Sequence, residues 1–323
     1  MCIVPTMAGV DYRESEAKSV LNPVKGMGFR WSINPYRGCT HGCHYCFARR
    51  YHSYFDLNAG DEFSGIIFVK VNAAQVLRAE LARPGWRREM VAIGTATDPY
   101  QPIEGRYRLT RGILEALRDA ETPASVVTKG PLVVRDIDVL QGVRDAASAT
   151  VCVSLTTLDP ARWRILEPGT APPAQRLRTV ARLAASGLNV GVLVAPIIPG
   201  LTADRENLET LVRAAADHGA RFLGARALHL HPGVKEHFTA FLEAEVPGLL
   251  PLYRRLYPGA YPSAQAQARI DERIEDLRAR FQLEARPPAM GAPAAPARVT
   301  EAVRARRRAA PPTDGPEQLG LGV

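Results

Sequence analysis

The sequence predicts an α/β protein built on a parallel β-sheet that is buried on both faces. Two observations support this fold class. Short continuous apolar runs rich in Val and Ile alternate with amphipathic helical stretches, and a helix separates most successive runs. Roughly six strand–helix units can be read in this way, against the eight of a closed barrel. The 323 residues, of which 46% are hydrophobic, are enough to bury a large core.

The individual elements follow from the local period of the apolar residues. Strands are expected at 30–33, 90–96, 125–128, 150–156, 189–196 and 221–230. Helices are expected at 73–81, 109–119, 136–146, 173–186, 204–217 and 235–245. A strand-like run at 65–70 has no clear place in this alternation. A further helix at 263–281 presents Ile270, Ile274 and Leu277 on one side, so we expect it to pack outside the barrel-like core.

The same pattern divides the chain into four segments. Residues 1–29 have no sustained period and are typical of an extended N-terminal arm, whereas residues 30–250 contain the strand–helix units. Residues 251–285 are expected to form a C-terminal helical extension. Residues 286–323 are rich in Pro, Ala and Arg and cannot bury enough apolar surface to offset their ordering entropy, so a disordered tail is predicted.

Three of the five cysteines lie close together, at Cys39, Cys43 and Cys46. A disulfide framework is not expected, because cysteines are sparse and no secretory signal opens the sequence. Three thiolates on one loop can hold an iron–sulfur cluster and leave one iron without a protein ligand. Zinc is the alternative, since His41 or His44 would complete a set of four ligands, although structural zinc sites usually draw two ligand pairs from separated segments.

The spacing Cys39-x-x-x-Cys43-x-Tyr45-Cys46 resembles the cluster loop of the radical S-adenosylmethionine (radical SAM) superfamily. The wider stretch 34–52 is similar to the branch described as DNA repair photolyase-like, which includes spore photoproduct lyase. The resemblance implies a partial (β/α)6 barrel of the TIM type and a [4Fe–4S] cluster on the three cysteines. It also implies S-adenosylmethionine (SAM) on the open iron, where an electron from the reduced cluster cleaves it to a 5′-deoxyadenosyl radical.

The resemblance further indicates cofactor-binding residues at the carboxyl ends of the strands, where parallel α/β proteins build their sites. In the family, the strand end after 90–96 contacts the methionine amino group, often through Gly-Gly-Glu; here Thr97 and Asp98 take that place. Lys129 follows the strand at 125–128 and would pair with the methionine carboxylate, although a lone lysine is usually a surface residue. The candidates for binding SAM are Tyr45, Thr95, Thr97, Asp98, Lys129 and Ser154.

Other polar residues give weaker signals, and no further catalytic residue is assigned. Glu167 lies in a loop above the predicted strands and is expected to face the substrate or to order that loop. His229 and His231 end the last strand and are equally compatible with a pocket wall and with ordinary packed or exposed side chains. Cys2 and Cys152 lie in no motif that would support a hydrogen-donor role, and Cys152, flanked by valines, is expected in the core.

The composition limits the partners. No run reaches the ~18–20 apolar residues of a membrane span, so we expect a cytoplasmic protein with no membrane partner, and a reducing compartment also suits an oxygen-sensitive cluster. The net charge is +8, and +5 remains without the six Arg and three acidic residues that follow position 285. Such a modest balance is usually a solvated surface and allows a nucleic-acid partner without requiring one. The resemblance implies a reductant such as flavodoxin or ferredoxin.

Two functions from different classes follow. The first is a radical SAM enzyme that abstracts hydrogen from an unidentified substrate, with repair or modification of nucleic acid as its narrower form. The second is a non-catalytic zinc-binding or regulatory module whose Arg-rich tail holds a partner. The number of predicted strands favours the enzyme, because a small metal module does not need so large a scaffold.

Overall fold

The structure is a computed structural model that describes residues 9–285. Cys2 and the Arg-rich tail lie outside the described residues. The strands are β1 (Asp11–Ser15), β2 (Asn22–Pro23), β3 (Trp31–Ile33), β4 (Tyr36–Arg37), β5 (Ile66–Lys70), β6 (Val91–Ile93), β7 (Ala124–Thr128), β8 (Ala149–Ser154), β9 (Asn189–Ile197), β10 (Phe222–Ala227) and β11 (Glu284–Ala285).

The α-helices are α1 (Asp61–Gly65), α2 (Ala73–Leu81), α3 (Glu104–Tyr107), α4 (Leu109–Asp119), α5 (Ile137–Ala146), α6 (Pro160–Leu166), α7 (Pro173–Ala185), α8 (Arg205–Asp217), α9 (Val234–Glu245), α10 (Leu250–Leu256) and α11 (Ala264–Arg280). Segments of 3-10 helix cover Phe47–Phe55, Pro131–Asp136 and Pro247–Leu249. Several helices begin where a side chain caps the first turn: the Asp204 carboxylate accepts from the Asn207 amide at 2.9 Å at the start of α8.

The main sheet has eight strands in the order β2, β3, β6, β7, β8, β9, β10, β11. From β3 to β11 each strand runs parallel to its neighbour, and only the short β2 is antiparallel. Within residues 9–285 the two edge strands do not pair with each other, so the sheet is open. The carboxyl ends of the parallel strands meet at one edge, where polar side chains can converge.

The two faces of the main sheet differ in character. Alternate strand residues such as Val126, Val151 and Val192 are fully buried and form one large cluster with apolar residues of α2, α4, α5, α7 and α8. Burial of each such side chain contributes about 1.5–3 kcal/mol. The opposite face carries small residues and a minor cluster that includes Cys152 and Phe222. This face is therefore also buried, and Cys152 is a core residue on it.

A second sheet of three strands, in the order β1, β5, β4, lies beside the main one. β1 from the N-terminal arm pairs in parallel with β5, and β4 pairs with β5 in antiparallel fashion. One face buries Tyr12, Tyr36, Ile67 and Val69 against residues near α3 and α4. This sheet accounts for the strand-like run at 65–70, which had no place in the predicted alternation.

The predicted secondary structure is confirmed element by element. Each predicted strand and helix is present, with ends that differ by at most three residues, and the predicted helix at 263–281 is α11. The parallel α/β class is also confirmed, whereas the division into four segments stays a prediction. No helix in the described part of the chain is long and apolar enough to cross a membrane.

Candidate metal and cofactor site

The three cysteines lie in a loop that follows β4 at the carboxyl edge of the main sheet. We call residues 38–46 the cysteine loop. Its backbone is held by distant segments: the Cys39 amide donates to the Phe63 carbonyl at 3.0 Å, and the His44 amide donates to the Leu166 carbonyl at 3.1 Å. The Gly169 amide donates to the His41 carbonyl at 3.1 Å. The conformation of the loop is therefore fixed by tertiary contacts, and not by secondary structure of its own.

Two glycines allow these close approaches. Gly38 has φ +80°, and a Cβ there would lie 2.6 Å from the Ile66 carbonyl oxygen. At Gly169 a Cβ would lie 2.2 Å from the Thr40 carbonyl oxygen. A side chain at either position would push the backbone of the cysteine loop away from its supports, because real Cβ contacts are never so short.

Arg49 supports the cysteine loop through hydrogen bonds to its backbone. Its side chain is 2% exposed, and the guanidinium donates to the carbonyls of Cys43 at 2.9 Å and Gly42 at 2.6 Å. The same group donates to the carbonyls of Ala59 and Gly60 at 2.8 Å. A planar fork of five donors is suited to several carbonyls at once, so one buried arginine links the loop to the segment before α1.

The three thiols are donors of the kind that an iron–sulfur cluster takes. Cys39 and Cys43 are buried and Cys46 is half-buried, and burial together with neighbouring negative groups raises the pKa of both Cys43 and Cys46. Such thiolates need a positive centre to be stable. Among residues 9–285, however, no three His, Cys, Asp or Glu side chains surround a point that would hold a single metal ion. A cluster does not require that convergence, because each thiolate binds a separate iron.

The two histidines of the zinc hypothesis each have partners among the described residues. The His41 imidazole is buried, with Nδ1 3.3 Å from Asp98 Oδ2. Burial alone would lower its pKa, but Cys39 and Asp98 outweigh that effect and raise the pKa to about 10. His44 Nδ1 lies 3.2 Å from His237 Nε2 on α9. The His41 ring also hydrogen-bonds the Cys39 thiol, so His41 is shared between the cysteine loop and Asp98.

The segment after β6 supports the loop from the other side. Thr97 Oγ1 donates to the Gly38 carbonyl at 2.7 Å. The Gln101 side chain is fully buried, accepts from the Thr40 amide at 3.1 Å and donates to the Gly38 carbonyl at 3.3 Å. Gln101 thus holds the peptide groups on both sides of Cys39, and no sequence signal marked it out.

Asp98 connects three parts of the site. Its carboxylate accepts from the Thr128 hydroxyl at 2.6 Å, the Lys129 amide at 2.6 Å and the Tyr100 amide at 2.9 Å, besides its contact with His41. Burial would raise the pKa of Asp98, but His41 and these donors lower it to about 2. The carboxylate is therefore ionised and already saturated with protein donors.

Lys129 is the unpaired cation of the site. Its ammonium lies 5.6 Å from the centroid of the Tyr45 ring and has no hydrogen-bond acceptor within residues 9–285. The side chain is half-buried. Burial would lower its pKa, but Cys43, Glu167 and Cys46 outweigh burial and raise it. A charged donor is thus held beside the thiols and free to meet an anionic group.

Thr95 follows β6 and Ser154 ends β8, on either side of β7, and part of the hydrogen-bonding capacity of each is unused. Thr95 Oγ1 accepts from the Asn34 side chain at 3.2 Å, and its hydroxyl proton has no acceptor in the described segments. Ser154 Oγ donates to the Ala195 carbonyl at 3.3 Å and keeps its lone pairs. Tyr45 is more committed, because its phenol donates to the Glu167 carboxylate. Their contacts with SAM stay predictions.

Glu167 orders its loop and is not exposed to substrate. Its carboxylate is fully buried and pairs with Arg176, which is 1% exposed. It also accepts from Thr156 Oγ1 at 2.9 Å, and Arg176 Nη1 donates to the Ser154 carbonyl at 2.9 Å. Burial would raise the pKa of Glu167, but Arg176 and Lys129 lower it to about 2. This network joins the cysteine loop, through Tyr45, to the ends of β8 and α7.

Comparison with known proteins identifies the class. The model of the Radical SAM superfamily matches residues 33–212, which is more than half of the chain. The chain therefore belongs to the radical SAM superfamily and is an enzyme of that superfamily. Membership implies SAM and an iron–sulfur cluster as cofactors, and enzymes of this class use a reductant and a substrate. The alternative of a non-catalytic zinc module loses its support.

Three individual proteins are similar to this chain in sequence. An uncharacterised protein of Mycobacterium tuberculosis is 43% identical over 256 residues, covering 78% of this chain and 75% of that protein. An uncharacterised protein of the Acidianus two-tailed virus is 31% identical over 223 residues, covering 67% and 73%. The radical SAM Nalpha-GlyT isomerase of Pseudomonas phage M6 is 29% identical over 185 residues, covering 56% of this chain and 36% of that protein.

Solved structures show the same fold. Spore photoproduct lyase, in a mutant with bound AdoMet and dinucleoside spore photoproduct, has a TM-score of 0.64 and 15% sequence identity. The match covers 84% of this chain and 78% of that one. At this level of identity the likeness establishes the fold alone, and it agrees with the family assignment.

Proposed function

We propose that the protein binds a [4Fe–4S] cluster through Cys39, Cys43 and Cys46 and cleaves SAM reductively in order to take a hydrogen atom from a substrate. The observation that carries this proposal is a loop of three buried or half-buried thiols beside the ammonium of Lys129, which has no hydrogen-bond acceptor within residues 9–285. When bound, the cluster and SAM supply an electron and a 5′-deoxyadenosyl radical.

The residues of this chain then have separate tasks. Lys129 binds the methionine carboxylate of SAM through a charge-assisted hydrogen bond. Thr95 and Ser154 offer a free hydroxyl proton and free lone pairs at the adjacent strand ends. Asp98 and Thr97 position the cysteine loop and the backbone around Lys129, because their side chains already bond protein groups.

The proposal includes the finer architecture. We interpret the open parallel sheet as the partial (β/α)6 barrel of the superfamily, with the arm at 1–29, the core at 30–250 and the helical extension at 251–285. Flavodoxin or ferredoxin in the cytoplasm would deliver the electron. Cys46 is the least buried of the three cysteines and the neighbouring Phe47 is 41% exposed, so the cysteine loop can be approached from this side.

Anaerobic reconstitution tests the cofactor assignment. Wild-type protein treated with iron and sulfide should bind about four irons per chain and release 5′-deoxyadenosine from SAM under reductant. Cys43→Ala should lose both properties. Cys152→Ala is the matched control, because that cysteine lies in the minor core cluster and should be dispensable for both. Stoichiometric zinc without iron, or a cluster that never cleaves SAM, would contradict the proposal.

A lysine substitution tests the SAM site separately from the cluster. Lys129→Gln should weaken SAM binding roughly tenfold or more, as expected for the loss of a charge-assisted hydrogen bond, while the iron content stays unchanged. The exposed Lys25→Gln is the control. Calorimetric titration of the reconstituted variants measures both affinities. Equal affinity in Lys129→Gln and wild type would remove Lys129 from the site.

For the substrate, we propose a nucleic acid bound at a basic-aromatic rim, defined as Arg50, Arg226, His229, His231 and Tyr261. The Tyr261 ring is 59% exposed, with its centroid 5.2 Å from that of His229 and 5.4 Å from that of His231. Burial and Arg226 lower the pKa of His229 to about 4, so its ring is neutral. Neither arginine makes an ion pair in the part of the chain that the structure describes.

These features match what single-stranded nucleic acid requires. Exposed rings offer stacking surfaces for bases and unpaired guanidiniums offer contacts for phosphates. Tyr261→Ala should weaken binding of a short single-stranded oligonucleotide about 5- to 150-fold, whereas Tyr261→Phe should retain it. Fluorescence anisotropy across a salt series measures both affinity and salt slope. Wild-type protein that binds no oligonucleotide at low salt would sink this substrate class and leave the cofactor proposal intact.

A further inference from the structure

The outer face of the three-stranded sheet, opposite the face that buries Ile67 and Val69, carries a group of cations that the proposed reaction does not use. Arg13, Phe68 and Arg37 lie opposite one another on β1, β5 and β4, and Lys70 follows on β5. The guanidinium of Arg37 lies 4.7 Å from the centroid of the Phe55 ring, which stacks on Phe68 at 4.8 Å. The Arg37 guanidinium is thus held against aromatic rings.

Lys70 is buried without a partner. Its side chain is only 8% exposed, and its ammonium makes no hydrogen bond or ion pair with any residue from 9 to 285. Its pKa is lowered to about 8, because burial desolvates the ammonium and the nearby Arg37 repels it. Arg37 also makes no ion pair within those residues. Two neighbouring cations are therefore present without a counter-ion from the described chain.

The first eight residues, which precede β1, contain no Asp or Glu. Burial desolvates most of the Lys70 side chain, so an opposite charge or several acceptors would stabilise its ammonium. The arrangement is what an oxyanion site requires, because a guanidinium fork and an ammonium together supply directed donors and two positive charges.

We propose that Lys70 and Arg37 form a binding site for a dianionic phosphate group on the outer face of the three-stranded sheet. A phosphate monoester carries ≈ −1.5 to −2 charges at neutral pH and so balances two cations, whereas a carboxylate or an internal phosphodiester carries one. The group can belong to free phosphate or to the 5′-terminal phosphate of a nucleic acid. Neither residue belongs to the cysteine loop or to the basic-aromatic rim.

Thermal unfolding of the reconstituted protein at constant ionic strength tests the site. Phosphate in place of chloride should raise the midpoint by about 2 °C or more at saturation. Lys70→Met should abolish this rise, and Lys70→Arg should preserve it. Arg13→Gln is the matched control, because Arg13 lies on the same face but is already paired with Asp11 at 2.7 Å; its phosphate response should equal that of wild type.

Measurements with other ligands identify the source of the phosphate and define the results that would overturn the proposal. A 5′-phosphorylated oligonucleotide that stabilises more than its unphosphorylated counterpart supports a terminal phosphate of nucleic acid, and a response to inorganic phosphate alone supports a small ligand. Absence of any rise in wild type, an equal rise in Lys70→Met, or an equal effect of acetate overturns the proposal. SAM cleavage by the same samples is read separately, so failure here does not bear on the cofactor proposal.

Discussion

Removal of Arg176 is the sharpest test of how the site is held together. Arg176→Met takes the only arginine from a carboxylate that is fully buried, and it also deletes donors to the carbonyls of Ala171 and Ser154, each at 2.9 Å. Removing one partner of a buried ion pair typically costs about 3–5 kcal/mol, because the remaining charge loses its closest counter-charge. We expect the free energy of unfolding in urea at pH 7 to fall by about that amount.

The double variant Arg176→Met with Glu167→Gln distinguishes charge from packing. If the isolated carboxylate causes the loss, neutralising Glu167 should restore at least half of it. If the double variant is as unstable as the single one, lost packing and carbonyl contacts are responsible instead. A loss below about 1 kcal/mol in Arg176→Met, within the range of exposed pairs, would refute the reasoning.

The pH dependence gives an independent readout of the same pair. In wild type the pKa of Glu167 is lowered from 4.5 to about 2, so its contribution to stability is present above pH 4.5 and is lost as the pH falls towards 2. In Arg176→Met the main cause of that lowering is absent and burial raises the pKa of Glu167. The stability difference between the two proteins should therefore be largest at neutral pH and shrink in acid.

Two further substitutions test the supports of the cysteine loop. Arg49→Met should reduce the iron bound after reconstitution by at least half, because four carbonyls lose their donor. Arg50→Met, at the half-buried neighbouring position, should bind iron normally. Equal iron contents in the two variants would exclude the supporting role of Arg49. Gly169→Ala should lower both stability and iron content, because its Cβ would meet the Thr40 carbonyl oxygen, whereas Gly85→Ala, with open space around it, should change neither. Urea unfolding and iron analysis measure the two quantities. Unchanged iron content in Gly169→Ala would contradict this account.

The strand–helix core could be predicted closely because its signal is local. In α2 and α4 the observed bounds equal the predicted ones, since an amphipathic helix repeats its apolar residues within a few positions. β5 shows the limit of that reasoning. Its run of apolar residues was visible, but its partners β1 and β4 lie far apart in sequence, so the three-stranded sheet could not be placed.

The sequence points to site residues only where a motif records the chemistry. The cysteine spacing led to the proposed cluster ligands, and a strand-end position led to Lys129; both assignments stay predictions. Arg49 and Gln101 were missed because they bond backbone carbonyls and amides, and such contacts leave no pattern in the sequence. Glu167 was noticed without a definite role, since only the fold shows that its carboxylate is buried against Arg176.

The supports of the cysteine loop have a consequence for the order of assembly. Tyr45 finds its hydrogen-bond partner 122 residues later, at Glu167, and the His44 amide is satisfied only by Leu166. During synthesis the loop therefore emerges long before the segment that shapes it, and contacts of such wide sequence separation form late. The three thiols acquire their final geometry only after β8 has paired in the sheet and α6 has folded. We therefore expect the proposed cluster to enter this geometry only after the chain has folded past Glu167.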